Sequence, residues 1–144
     1  MEERKDLVKI LSYILADTYM LANMTQGFHW NVTGPGFFQL HQAFGDQYEA
    51  LNASVDLLAE RIRALGAKAP VGLAAIVELA DLETKAPEDS PGMVTYLIKA
   101  HTKCATFCQE VASTIEDEGT KNMLADLVLF HEKTVWMLRS EAGG

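Results

Sequence analysis

His29, His41, Asp56 and Glu60 are the residues of this chain whose types and spacing best suit metal chemistry. Imidazole nitrogen and carboxylate oxygen together serve iron or zinc, and a small protein ligand set leaves positions open for a reactant. Their spacing imposes a condition. His29 ends a long apolar helical pattern, and His41 lies just beyond the turn Thr33-Gly34-Pro35-Gly36. Asp56 and Glu60 are four residues apart and so share one helical face. Fifteen residues of unbroken helical pattern separate His41 from Asp56, roughly 22 Å at a rise of about 1.5 Å per residue. Metal–ligand bonds are only about 2 Å long. If all four groups serve one site, the carboxylates must therefore come from a second subunit. A two-fold antiparallel pairing does this and creates two sites per dimer.

Each of these residues has an ordinary reading when taken alone. His41 falls in an apolar stripe, where a histidine is more often a packing residue. Asp56 and Glu60 are followed by Arg61 and Arg63 and resemble a solvated helix face. Their combination with His29 is what points to metal.

The elements that must position them are helices. Leu7, Leu11, Ile14, Thr18, Leu21, Thr25 and Phe28 form a first stripe at steps of four and three. The second is Phe37, His41, Phe44, Tyr48, Leu51, Val55, Leu58, Ile62 and Leu65, with Gly66 as C-terminal cap. A third runs Val94, Ile98, His101, Ala105, Cys108, Ala112 and Ile115, opened by Ser90 as N-cap and Pro91 at the first helical position. The fourth runs Thr120, Leu124, Leu127, His131, Thr134 and Leu138, with Thr120 as cap. The short turns pair helices one with two and three with four. Between the pairs, residues 67 to about 90 contain Pro70 and Pro87 and a short amphipathic stretch, Leu73 to Leu82. The expected fold is all-α: a ferritin-like four-helix bundle, with a short extra helix in the long crossover between helices two and three. About six residues are expected to precede the first helix.

The length of 144 residues fits one domain, 1–144. A hydrophobic fraction of 49% excludes disorder. No apolar stretch reaches the roughly 18 uncharged residues of a membrane span. The start, Met1-Glu2-Glu3-Arg4-Lys5-Asp6, lacks the basic end of a signal peptide, so a cytoplasmic protein is expected. The net charge of −8 argues against general affinity for nucleic acid.

The segment Phe28-His29-Trp30-Asn31-Val32-Thr33-Gly34-Pro35, with Leu40-His41 and then Asp56-Leu57-Leu58-Ala59-Glu60-Arg61-Ile62-Arg63, resembles the Dps family. These are the DNA-protection-during-starvation proteins, or mini-ferritins. The ending His131-Glu132-Lys133-Thr134-Val135-Trp136-Met137-Leu138-Arg139 is similar too, and the likeness spans essentially the whole chain. The resemblance implies a dodecameric shell with iron-oxidising centres at its two-fold interfaces. His29 and His41 would be ligands from one subunit, and Asp56 and Glu60 from its partner. Trp30 matches a tryptophan beside the centre, placed to intercept a stray oxidising equivalent. The implied activity is a ferroxidase that oxidises Fe2+ with hydrogen peroxide, or more slowly dioxygen, and stores ferric mineral.

The chain departs from that pattern in three places. One turn after His41, where the family usually carries Asp or Glu, stands Gly45, with Asp46 about 100° further round the helix. That puts a second iron position in question, and nothing in the sequence explains a helix-interior glycine. The lysine-rich tail of DNA-coating members is missing from both ends of this sequence, and twelve copies would carry roughly −96, opposing adhesion to DNA. Asp117, Glu118 and Asp126 are candidates for an acidic iron-entry pore, although Asn122 stands where an Asp is common. His101, Cys104 and Cys108 share a face and could hold zinc or copper(I), but core packing is favoured. His131 reads as structural. Two alternatives to the ferroxidase remain: a DNA-binding architectural protein, and a metal-binding shell without efficient turnover.

Overall fold

The computed structural model describes residues 2–144, and Met1, which the leader argument used, lies outside them. The order of elements is α1 (Glu2–Asn31), α2 (Phe37–Ala64), α3 (Leu73–Leu79), α4 (Ser90–Ala112) and α5 (Glu118–Glu141). No strand occurs among the described residues. α1 packs on α2 and α4 on α5, with α1 also against α3 and α4, and α2 against α5.

The core lies in two halves, and their membership gives the helix directions. At one end Leu21 and Phe28 of α1, with Val32 just beyond it, meet Leu40, Phe44 and Leu51 of α2, Met93 and Leu97 of α4, and Leu138 of α5. At the other, Leu7, Leu11 and Ile14 of α1 meet Leu58 and Ile62 of α2, Cys108 and Val111 of α4, and Leu124 and Leu127 of α5. The start of α4 thus lies beside the start of α2, so the two run in the same direction. The chain between them must traverse the length of the bundle, as a long ferritin-type crossover does. Ile76 of α3 enters the second half, and three polar contacts pin the rest of the crossover down. The Asp17 carboxylate accepts the Asp81 N–H at 2.6 Å, Lys103 pairs with Asp81, and the Tyr96 hydroxyl donates to the Glu83 carbonyl.

All seven residues of the first stripe and all six of the fourth are buried. The expected boundaries shift at several ends. α1 begins at Glu2, so the stretch expected to lead into it is its first turns. α3 stops at Leu79, because Ala80 turns extended and Leu82 packs into the first half of the core. The caps of α4 and α5 are Asp89 and Asp117, not Ser90 and Thr120. The Asp89 carboxylate accepts the Gly92 N–H at 2.7 Å, which makes Pro91 the second helical residue. The Asp117 carboxylate accepts both the N–H and the hydroxyl of Thr120. At the end of α2, Gly66 adopts φ 95°, and Ala67 N–H reaches back to the Ile62 carbonyl, closing the helix as the sequence predicts.

Candidate metal centre

The turn between α1 and α2 brings the two histidines together. Gly34 and Gly36 take φ of 92° and 81°, conformations a side chain would strain, and this lets the chain reverse in five residues. His29 in the last turn of α1 then faces His41 in the second turn of α2. Their rings stack 3.9 Å apart at an interplanar angle of 12°. Phe37 stacks on the outer side of His41 at 5.2 Å, and Tyr48 stands edge-on to His29 at 5.4 Å.

Reciprocal hydrogen bonds fix each ring. His29 Nδ1–H donates to the His41 carbonyl at 2.7 Å, and His41 Nδ1–H donates to the His29 carbonyl at 2.7 Å. A carbonyl only accepts, so each Nδ1 carries a proton, and the tautomer this selects has its lone pair on Nε2. This is the outer-shell arrangement that prepares histidines to ligate: orientation and tautomer are set by one nitrogen while the other is free.

The carboxylates lie elsewhere. Asp56 and Glu60 are exposed on the far half of α2, and no cluster of three or more His, Cys, Asp or Glu able to hold a metal forms among the described residues of one chain. The single chain therefore holds two nitrogens at one end of α2 and two oxygens towards the other. The arginines that follow the carboxylates are engaged away from them. Arg61 turns to the start of α5, where its guanidinium bonds Asp117 at 2.5 Å and Thr120 Oγ1 at 3.0 Å. Arg63 donates to the Ala67 carbonyl at 3.0 Å. No ion pair among the described residues involves Asp56 or Glu60.

Exposed apolar side chains flank both halves. Trp30 is 65% and Phe38 81% exposed beside the histidines, and Leu57 is 59% exposed between the carboxylates. A groove of about 570 Å³ runs past Leu57 and Glu60 to Asp126 and Phe130 of α5. Of the proposed pore residues, Asp117 is occupied as helix cap and ion-pair partner. Hydrogen bonds from Thr120 and Arg61 hold its carboxyl down at about 2. Glu118 and Asp126 remain exposed.

His101 and His131, read singly as stripe residues, face each other across α4 and α5 with Nδ1 atoms 2.8 Å apart, a pairing the stripes alone did not disclose. His101 is fully buried and its Nε2 has no partner. The Cys104 and Cys108 thiols are buried and pushed up by desolvation, Cys108 to about 12, so neither is prepared as a thiolate ligand. Core packing is what the structure gives these residues.

A bundle of this topology, with paired helix hairpins and a long crossover, defines a ferritin-like protein, and the ferritin-like domain model matches residues 8–143. A low temperature-induced protein of Nostoc sp. is 35% identical over 96% of this chain and 81% of its own length. DNA protection during starvation protein 2 of Bacillus anthracis is 31% identical over 94% of this chain and 96% of its own. The crystal structure of a Dps protein from Bacillus brevis superposes with a TM-score of 0.93 at 29% identity, over 99% of this chain and 98% of that one. The chain belongs to the Dps family.

Proposed function

We propose that the protein is a ferroxidase and iron-storage shell, with each iron site shared between two subunits. His29 and His41 of one subunit and Asp56 and Glu60 of its partner bind Fe2+, which is the substrate. Two Fe2+ each give one electron to hydrogen peroxide, which takes up two protons and leaves as two waters; dioxygen is the slower oxidant. Consuming peroxide in two-electron steps limits hydroxyl radical and so protects the cell and its DNA. The ferric product collects as mineral inside a dodecamer in the cytoplasm. Trp30, beside the histidines and 65% exposed in the single chain, is placed to intercept a one-electron oxidant that escapes.

The observation that carries this reading is the unfinished state of both half-sites. Two Nε2 lone pairs are oriented and unshared, and two carboxylates on the same helix are unpaired yet roughly 22 and 28 Å away along it. Both halves are flanked by exposed apolar side chains that a two-fold contact would remove from water. The relatives named for protection during starvation support the same assignment.

Complementation tests it. Subunits carrying His29→Ala/His41→Ala and subunits carrying Asp56→Ala/Glu60→Ala are each expected to assemble without oxidising iron above the protein-free rate. Co-assembled, their heterodimers contain one intact site, and stopped-flow oxidation with peroxide should recover in proportion. Absence of recovery in shells shown to contain heterodimers refutes the shared site.

A further inference from the structure

Gly45 lies one helical turn beyond His41, on the same face, and His29 rests directly on it. A Cβ built at position 45 would stand 3.0 Å from His29 Cε1 and 3.1 Å from Nδ1. Ordinary carbon contacts are about 3.5–4.0 Å, so a side chain here makes the ring give by a few tenths of an ångström. The displaced atom is the one whose proton bonds the His41 carbonyl at 2.7 Å. The missing side chain lets His29 lie directly on the α2 backbone while it makes its tautomer-fixing bond.

The same absence limits the donor count. A side chain at 45 would project at His29, but glycine supplies no ligand there. The neighbouring acid does not substitute: Asp46 is exposed and its carboxylate accepts from Gln42 Nε2 at 2.9 Å. The rings bordering the pair, Phe37 and Tyr48, are aromatic. One subunit thus brings two nitrogens and no carboxylate to its site. With two carboxylates from the partner the set is four protein donors, enough to hold one ion and too few to hold two without sharing.

We propose that Gly45 is a positioning residue that seats His29 and makes each site hold one divalent ion tightly, any second being held only through carboxylates it must share. This rests on the shared-site reading. Cobalt(II), whose visible spectrum reports its ligands, is the probe: the assembled oligomer is titrated by equilibrium dialysis and absorption without any oxidant. Wild type binds one Co2+ per subunit tightly. Gly45→Ala weakens that ion roughly tenfold, the scale of losing an outer-shell hydrogen bond to a ligand. The melting temperature of the metal-free oligomer is not lowered, because Ala is the better helix former. That split is one a merely structural role would not give. Gly45→Asp, which adds a carboxylate at the histidines, takes up a second Co2+ per subunit, while its first ion is weakened as in Gly45→Ala because its Cβ meets His29 in the same way.

Two tight ions per subunit in wild type, or unchanged affinity in Gly45→Ala, overturns the proposal while leaving the shared site standing. A single ion in Gly45→Asp removes the donor-count argument. Co2+ binding that survives His29→Ala/His41→Ala sinks the shared site and this inference with it.

Discussion

The His101–His131 pair should make this bundle acid-sensitive in a defined window. Two Nδ1 atoms 2.8 Å apart need one proton between them, one nitrogen donating and the other accepting. A second proton turns the acceptor into a donor and leaves two N–H groups opposed in a buried site. Burial therefore holds both rings neutral. Desolvation lowers His131 from 6.5 to about 4, and desolvation together with His131 lowers His101 well below its usual value. The unfolded chain takes up protons on these rings near pH 6.5 while the folded chain refuses them, so stability falls as pH falls. The contribution is fully present above about pH 6.5 and is lost towards pH 4, below which the His131 part is flat. The His131 shift, at about 1.4 kcal/mol per pH unit, is worth about 3 kcal/mol, and His101 adds in the same direction. Urea unfolding at fixed subunit concentration, repeated between pH 7.5 and 4.5, measures it. A His101→Leu/His131→Leu variant replaces both partners with apolar side chains, so near neutral pH its stability should lie within about 1 kcal/mol of wild type. On acidification the variant should lose about 3 kcal/mol less. Parallel pH curves for the two proteins would refute the reasoning.

The remaining expectations concern other parts of the fold. Asp117→Ala removes the cap of α5 and the partner of Arg61, and should cost about 1–2 kcal/mol of stability in chemical denaturation; a loss under 0.5 kcal/mol would mean the clamp is incidental. Cys104 and Cys108 should resist a thiol-specific chromogenic reagent in the native protein and react together on unfolding, since both are buried and held as thiols. Rapid labelling of either in the folded oligomer contradicts this. Gly36→Ala should weaken the site as well as the fold, because φ of 81° costs a side chain roughly 1–2 kcal/mol and the turn sets the histidine stack; Co2+ affinity and melting temperature report the two effects separately. In a gel-shift assay at low salt the net charge of −8 per subunit should prevent association with duplex DNA, and retardation at modest protein concentration would revive the architectural alternative.

The helices were legible because a stripe such as Leu7-Leu11-Ile14-Thr18-Leu21 is a local property of the chain, and burial follows it without exception. Helix starts were less legible because capping is a competition. Ser90 and Thr120 have the right hydroxyls, but Asp89 and Asp117 offer better acceptors just upstream, and the carboxylates take the exposed N–H groups. The separation of the candidate histidines from the candidate carboxylates was legible, since fifteen helical residues cannot be folded away. How each half is held was not, because the stack depends on the path of a turn and on which nitrogen finds a carbonyl.

Gly45, which the sequence left unexplained, has a counterpart in Gly119. Gly45 sits inside α2 and Gly119 is the second residue of α5, and a helical glycine costs up to about 1 kcal/mol relative to Ala. Each is where a polar side chain from another element lies against bare backbone. His29 covers Gly45, and the Arg61 guanidinium covers Gly119, where a Cβ would stand 2.8 Å from Nη2. The second seat bears on the first site, because Arg61 is the neighbour of Glu60. Drawn to Gly119 and Asp117, its charge is taken up at the start of α5, and Glu60, which lines the same groove, is in no ion pair among the described residues. Filling Gly119 with Ala would push the guanidinium off its seat and free it to compete for Glu60. The expected result is weaker Co2+ binding from a substitution on a helix that supplies no ligand. Unchanged affinity in that variant would show that Arg61 plays no part in keeping the carboxylate available.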